Sequence, residues 1–268
     1  MQYKKVLTIA GSDSGGGAGI QADIKSISAC GCYASSAITA ITAQNTVGVR
    51  AIHAIPNEIL KLQIKAVLDD IGADAIKIGM LHSPESIKTV ADCLADYPIK
   101  NIVLDPVMVA TSGDQLLLDD AIGNLKKLLF PKVSLITPNL PEAEILLGRK
   151  IECQTEFRSV AHELAEQYKV SVLLKAGHLK GDDLIDVLYD YEKFESSNLA
   201  SKRIHTQNTH GTGCSLSSAL ASFLAKGHSL AESAQLAKAF ITESIKTGSD
   251  YKIGQGHGPV HHFYQFWK

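Results

Sequence analysis

Val6-Leu7-Thr8-Ile9-Ala10-Gly11-Ser12-Asp13-Ser14-Gly15-Gly16-Gly17-Ala18-Gly19-Ile20 is the stretch on which the fold turns. Its apolar run, Val6 to Ala10, is too short for a helix and stops at Gly11, so it reads as a buried strand. A glycine-rich loop follows, and Ile20, Ile24 and Ile27 then recur at the spacing of one helix face. Strand, tight loop, helix is the first half of a βαβ unit. The pattern repeats downstream. Ser36–Ala43, Ala75–Ile78, Ile102–Leu104, Val133–Ile136 and Val170–Leu174 are strand candidates. Between them lie a helix after Pro56-Asn57, a helix opened by Ser83-Pro84-Glu85, and helices at Ala121–Leu129, Pro141–Leu147 and Thr155–Tyr168. Leu184–Phe194, with a turn near Asp190, reads as a local hairpin, and Arg203–Thr206 as a further strand. Ser229-Leu230-Ala231-Glu232 is a capping box for the last long helix. The alternation predicts an α/β fold: a mostly parallel, doubly wound central sheet flanked by helices as a three-layer sandwich, one domain over residues 1–268, with no linker or repeat, and a chain of this length is too short for a large separate lid domain.

Composition narrows the function. A formal net charge of -2 and few aromatics give no footprint for nucleic acid or an anionic membrane. The five cysteines are odd in number and contain no C-x-x-C pair, which argues against a disulfide framework or a zinc site. No signal peptide or membrane-length apolar run is present, so the expected compartment is the cytoplasm.

Thr209-His210-Gly211-Thr212-Gly213-Cys214 is the second informative segment, because it runs straight into Ser215-Leu216-Ser217-Ser218-Ala219-Leu220. Two glycines ahead of a helix let the backbone approach a ligand, and the first turn offers unpaired N–H groups and positive potential. This predicts a cradle for a phosphate or a developing oxyanion, with Cys214 in its field. A helix N-terminus lowers a thiol pKa, which would make Cys214 a nucleophile or base; a plain helix start with a buried cysteine is the simpler alternative. Other polar residues fall just after strand candidates: Gly11, Gln44, Met80, Asp105, Asn139 and Lys175. Ligands of open parallel sheets bind at that rim. Asp105 and Glu142 suit Mg²⁺, which takes one or two carboxylates plus water and substrate phosphates, although a strand-end turn and a first-turn charge are ordinary roles for them. Lys175 and Lys238 can each reach a phosphate or remain solvated.

Three other readings carry less. Gly17-Ala18-Gly19-Ile20-Gln21-Ala22 matches a dinucleotide fingerprint, but no acidic residue lies between Asp23 and Glu58, where that fingerprint needs one. Neither glycine loop is followed by Lys-Ser or Lys-Thr, which excludes a Walker P-loop. His210 beside Cys214 invites acyl transfer, yet such partners are normally distant in sequence. His257, His261 and His262 can bind a metal, pack, or form a solvated tail.

The segment Gly11 to Asp23 closely resembles the N-terminal loop of the hydroxymethylpyrimidine (phosphate) kinases of thiamine biosynthesis, members of the ribokinase-like superfamily. The resemblance continues, in order, through Thr42–Thr46, Lys77–Leu81, Val103–Met108, Ile136–Ala143, Lys175–His178, Asn208–Cys214 and Gly258–His262. It implies a bifunctional enzyme that phosphorylates 4-amino-5-hydroxymethyl-2-methylpyrimidine with ATP and then its monophosphate. It implies that Gln44 binds the aminopyrimidine and that Gly11, Asp23, Met80 and Val107 shape the pocket. The Gly211-Thr212-Gly213-Cys214 backbone would hold the γ-phosphate, Asp105 and Glu142 the Mg²⁺, and Asn139, Lys175, Thr209 and Lys238 the ATP. Homodimerisation is expected on the same ground. Pyridoxal kinases of the superfamily are the nearest alternative, with Gln44 favouring the pyrimidine because an amide both donates and accepts. A nicotinamide oxidoreductase and a silent sensor are the alternatives from other classes.

Overall fold

The computed structural model describes residues 2–108, 119–179 and 181–267. Its strands are β1 (Lys5–Asp13), β2 (Tyr33–Asn45), β3 (Gly48–Ala54), β4 (Ala75–Ile78), β5 (Ile102–Leu104), β6 (Leu135–Ile136), β7 (Ser171–Leu174), β8 (Asp183–Asp190) and β9 (Glu195–Lys202). Its helices are α1 (Gly19–Ala29), α2 (Asn57–Ala66), α3 (Pro84–Leu94), α4 (Asp119–Asn124), α5 (Leu140–Leu147), α6 (Phe157–Tyr168), α7 (Thr212–Ala225) and α8 (Leu230–Gly248).

All nine strands form one sheet in the order β3-β2-β1-β4-β5-β6-β7-β8-β9. The run from β2 to β7 is parallel, whereas β3 at one edge and β8 and β9 at the other are antiparallel. Period-two alternation feeds two cores. Leu7, Ile9, Ile76, Ile78 and Leu104 pack with Leu60 and Ile64 of α2, Ile87 and Val90 of α3 and Val160 and Leu164 of α6. Val6, Ala75, Val103, Leu135 and Leu173 point the other way, onto Ile27 of α1, Leu216 and Leu220 of α7 and Phe240 of α8. Strands β1, β4, β5, β6 and β7 are buried on both faces, which is why they read as short continuous apolar runs.

One expectation is corrected and another extended. Arg203–Thr206 is irregular, not a strand. The Arg203 guanidinium instead donates to the carbonyls of Gly181 at 2.8 Å and Gly177 at 3.2 Å, tying down the loops ahead of β8. The hairpin expected within Leu184–Phe194, with its turn near Asp190, is present but reaches further: β8 turns after Asp190 and pairs along its whole length with β9, extending the main sheet. Strand β3, Gly48–Ala54, is an element that the sequence reading lacked.

The chain goes from β2, on one side of β1, to β4 on the other. This reversal of strand order opens a crevice at the carboxyl ends of β1 and β4, the place where such sheets bind ligands.

Candidate active site

A cleft of about 660 Å³ lies over that crevice. Gly11 at β1, Gln44 at β2, Met80 after β4, Asp105 and Val107 after β5, Asn139 and Glu142 after β6, and Lys175 after β7 all line it. So do Thr209, Gly211, Thr212, Gly213 and Cys214 at the start of α7, and Lys238 of α8.

Asp23 is the exception and corrects the expectation that it shapes the pocket wall. It is fully buried in α1 beneath the cleft. Both its oxygens lie 2.9 Å from Lys77 Nζ, and it also accepts from Thr8 Oγ1 at 2.6 Å and Ser218 Oγ at 2.8 Å. It is Lys77 that reaches the cleft. Burial would depress the Lys77 ammonium, but the Asp23 charge overrides this and holds its pKa above the usual lysine value.

The first glycine loop is folded around Asp13. The Asp13 carboxylate accepts from the amides of Gly15 at 2.8 Å, Gly17 at 3.1 Å and Ala18 at 2.8 Å. Burial would raise its pKa, but His210 and these amides together keep it below the usual carboxylate value. The amides that a dinucleotide phosphate would need are thus already occupied.

The second glycine loop differs. Gly211 caps α7 with φ of 79°, a left-handed conformation suited to glycine. Thr212 N–H bonds to the Thr209 carbonyl at 3.2 Å. The next two amides, on Gly213 and Cys214, precede the first i→i−4 bond of the helix and have no backbone acceptor among the described residues. A Cβ on Gly213 would stand 3.3 Å from Asp105 Oδ2 and 3.5 Å from Lys175 Nζ. Two free amides, a cation and a carboxylate therefore converge.

Lys175 Nζ and Asp105 Oδ1 form a buried pair at 2.7 Å, with Thr137 Oγ1 donating to the same oxygen at 2.9 Å. Burial works against the charge on Asp105, but Lys175 and Lys77 hold its pKa below the ordinary value. Glu142 lies on α5, whose capping box joins its carboxylate to Asn139 N–H at 2.8 Å. Burial, with help from the Asp105 charge, pushes Glu142 up to about 7. Lys238 Nζ pairs with Asp186 of β8 at 2.7 Å, so it is neither fully solvated nor unpartnered. Burial pushes the Cys214 thiol up to about 11. This corrects the expectation of a lowered thiol pKa: desolvation, with the Asp23 and Asp105 charges, outweighs the Lys77 ammonium and the Gly19 amide.

A C-terminal strap fastens these loops. His257 N–H donates to the Thr46 carbonyl at 2.9 Å, and the amides of Gln255 and Gly256 donate to Thr46 Oγ1, each at 3.2 Å. His210 N–H donates to the Gly258 carbonyl at 3.0 Å, and Asn208 Nδ2 caps the end of α8 through the carbonyls of Gly248 at 2.7 Å and Tyr251 at 2.6 Å. His262 Nε2 lies 2.9 Å from Ser215 Oγ, which donates to the Gly211 carbonyl. His262 therefore braces the first turn of α7, and burial, with Lys25 nearby, pushes it down from 6.5 to about 3. The unfolded chain takes up that proton first. The stabilisation is complete above pH 6.5 and is lost as pH falls toward 3, at about 1.4 kcal/mol per pH unit. Urea unfolding between pH 7 and pH 5 is expected to show a steeper decline for the parent than for His262→Gln; equal slopes would remove His262 as the cause.

The cleft is that of a small-molecule phosphotransferase: an anion cradle meets the Lys175–Asp105 pair, and Met80 and Val107 wall the space near the Gln44 amide. The sequence profile of the phosphomethylpyrimidine kinase family matches residues 13–261. The chain is 48% identical over 263 residues to the hydroxymethylpyrimidine/phosphomethylpyrimidine kinase of Rhizobium meliloti, covering 98% of each. It is 45% identical to the crystallographic phosphomethylpyrimidine kinase of Clostridium difficile, with a TM-score of 0.80 over 90% of this chain and 99% of that one. The pyridoxal kinase of Staphylococcus aureus in complex with AMP-PCP and pyridoxal is 33% identical, with a TM-score of 0.89 over 99% of this chain and 96% of that one. The chain belongs to the phosphomethylpyrimidine kinase family.

Of the residues that matter here, sequence reading missed Lys77, Asp186 and the roles of Asp13 and His210. Lys77 had a signal: one lysine inside the buried run Ala75-Ile76-Lys77-Ile78 requires an equally buried partner. The others depend on pairings across the fold.

Proposed function

We propose that this chain transfers the γ-phosphoryl group of ATP to 4-amino-5-hydroxymethyl-2-methylpyrimidine and then to the resulting monophosphate, in thiamine biosynthesis. The observation that carries the reading is the convergence of the Gly213 and Cys214 amides with Lys175 and Asp105, in one cleft with Gln44. Gln44 would pair with the aminopyrimidine edge, and Gly11, Met80 and Val107 would wall the ring. Asn139, Lys175, Thr209 and Lys238 would lie along ATP.

Among the described residues no cluster of three metal-ligating side chains occurs. The donor set near Asp105 fits Mg²⁺ nonetheless, since two carboxylates suffice when phosphates and water complete the shell. Asp105 and Glu142, partly through water, would hold that ion, which when bound neutralises charge on the phosphates.

The hydroxymethyl oxygen attacks the γ-phosphorus in line with the departing β-phosphate oxygen; ADP leaves, and the hydroxyl proton passes to an oxygen of the transferred phosphoryl group. Transfer through a loose transition state asks mainly for positioning and for charge stabilisation on the equatorial oxygens. The Gly213 and Cys214 amides supply the latter. With its thiol pKa near 11, Cys214 contributes chiefly through its backbone. Cys214→Ser is accordingly expected to retain part of the activity, with kcat within about tenfold of the parent; complete loss in a folded, ATP-binding variant would make the thiol itself essential. Gln44→Leu is expected to raise KM for the pyrimidine at least about tenfold while leaving KM for ATP unchanged; unchanged pyrimidine selectivity would show Gln44 misassigned.

Incubation with ATP, Mg²⁺ and the pyrimidine, with pyridoxal in parallel, tests the whole reading by mass spectrometry. Sequential mono- and diphosphate is the expected product. Pyridoxal phosphate as the main product would favour the second reading, pyridoxal kinase, which the closeness in fold to the Staphylococcus aureus enzyme keeps in view. No helix among the described residues is long and apolar enough to cross a membrane. All five cysteines are free, in keeping with a reducing cytoplasm. Homodimerisation belongs to the same reading, and exposed Ile41 and Val47 offer apolar surface for it.

A further inference from the structure

At one corner of the cleft, the amide of Gln44 lies between two neighbours. His210 Nε2 stands 3.3 Å from Gln44 Nε2 and 2.9 Å from Asp13 Oδ2. On the other side, Gln44 Oε1 stands 3.2 Å from Thr42 Oγ1. Asp13 already accepts from three loop amides, a task that suits a carboxylate, so it has no proton to give. His210 Nε2 must then carry the hydrogen of the His210–Asp13 bond. With the Nε2 arm of Gln44 toward His210, two donors face each other. Thr42 Oγ1 donates to the Ser12 carbonyl at 2.8 Å, so toward Gln44 it can only accept. A half-turn of the amide resolves both contacts: the carbonyl oxygen shares the one His210 Nε2–H with Asp13 in a forked bond, and the NH2 meets Thr42.

We propose that the Asp13–His210 pair is a positioning device that holds the Gln44 amide with its oxygen toward His210 and its NH2 toward Thr42, and thereby fixes which way round the aminopyrimidine sits. This rests on the reading above that the pyrimidine is the acceptor. Around that ring the acceptor N3, the 4-amino group and the 5-hydroxymethyl group follow in order. An amide turned this way takes N3 on its NH2, at the Thr42 side, and the amino group on its oxygen, at the His210 side. The hydroxymethyl group, next in order, then extends past His210 toward Gly211 and Gly213, where the anion cradle begins. The opposite amide orientation points it away. Every donor and acceptor of Gln44 is used: the oxygen takes His210 and the amino group, and the NH2 serves Thr42 and N3.

The test compares this pyrimidine with its 4-oxo analogue, whose C4 carbonyl and N3–H present the reverse donor–acceptor order. The parent enzyme is expected to prefer the 4-amino compound in kcat/KM by at least about tenfold. In His210→Leu the amide is free to turn, so that preference should narrow by about tenfold, with KM for ATP unchanged. Parallel losses on both compounds would overturn the proposal and leave His210 a packing residue. A second readout needs no turnover and no variant of His210. In the NMR spectrum of the ligand-free parent, the Gln44 NH2, assigned by its disappearance in Gln44→Leu, should show contacts to the Thr42 methyl group. Contacts to the His210 ring instead would overturn the proposed orientation. If neither pyrimidine is phosphorylated, the functional reading fails, and the spectrum still decides how the amide stands.

Discussion

Gly211→Ala is expected to lower kcat/KM by at least about a thousandfold while leaving most of the fold intact. A Cβ at this position would fall on the Gly17 carbonyl oxygen and crowd Gly17 C and Ala18 Cα, all backbone atoms. Nothing there can swing aside, so one glycine loop must move relative to the other. The left-handed backbone adds about 1–3 kcal/mol of strain. The displaced atoms carry the Gly213 and Cys214 amides, and loss of one such donor costs roughly a hundred- to a thousandfold, before the misplacement of the acceptor is counted. Steady-state kinetics beside a thermal melt would check this. Near-parental turnover would show that the cradle is not where transfer occurs. The contrast with the mild effect expected for Cys214→Ser separates the backbone of this turn from its side chain.

Lys77→Met is the largest stability effect expected. It leaves the fully buried Asp23 carboxylate with only the hydroxyls of Thr8 and Ser218. Breaking a buried pair from one side costs about 3–5 kcal/mol, or roughly 10 °C in Tm for a domain of this size. Adding Asp23→Asn in the same chain should recover much of the loss, because a neutral amide can still bond both hydroxyls. Calorimetry on the parent, the single variant and the double variant decides it. A single variant as stable as the parent would mean that water or another cation already satisfies Asp23.

How far the sequence foretold the structure follows from what made each element. Strands β1, β4, β5, β6 and β7 are buried on both faces, so their short apolar runs announced them. Strand β3 is an edge, half-exposed and interrupted by Arg50 and His53, and its character comes from pairing with β2. Strand β9, Glu195-Ser196-Ser197-Asn198-Leu199-Ala200-Ser201-Lys202, carries almost no apolar signal and is a strand because β8 offers it eight partners. At the site, most residues were legible because strand ends in a parallel sheet share one rim. Asp23 was placed in the wall because it lies in a motif, when its partner Lys77 is 54 residues away and unknowable before the strands are ordered. The thiol of Cys214 was misjudged for a similar reason: the helix start is visible in sequence, and the burial of the thiol is not.

The strap that fastens Thr46 to Gln255 spans 209 residues of chain. At about 5–20 residues per second, a ribosome takes roughly 10–40 s to pass from one to the other. During that interval the nascent protein already holds Gln44 and the first glycine loop, without the contacts that the strap makes to Thr46 and His210. The strap's contacts can form only once the chain has been made as far as Gln255. A message cut short ahead of codon 255 yields a polypeptide that holds every expected catalytic side chain and lacks the clasp that brings them together.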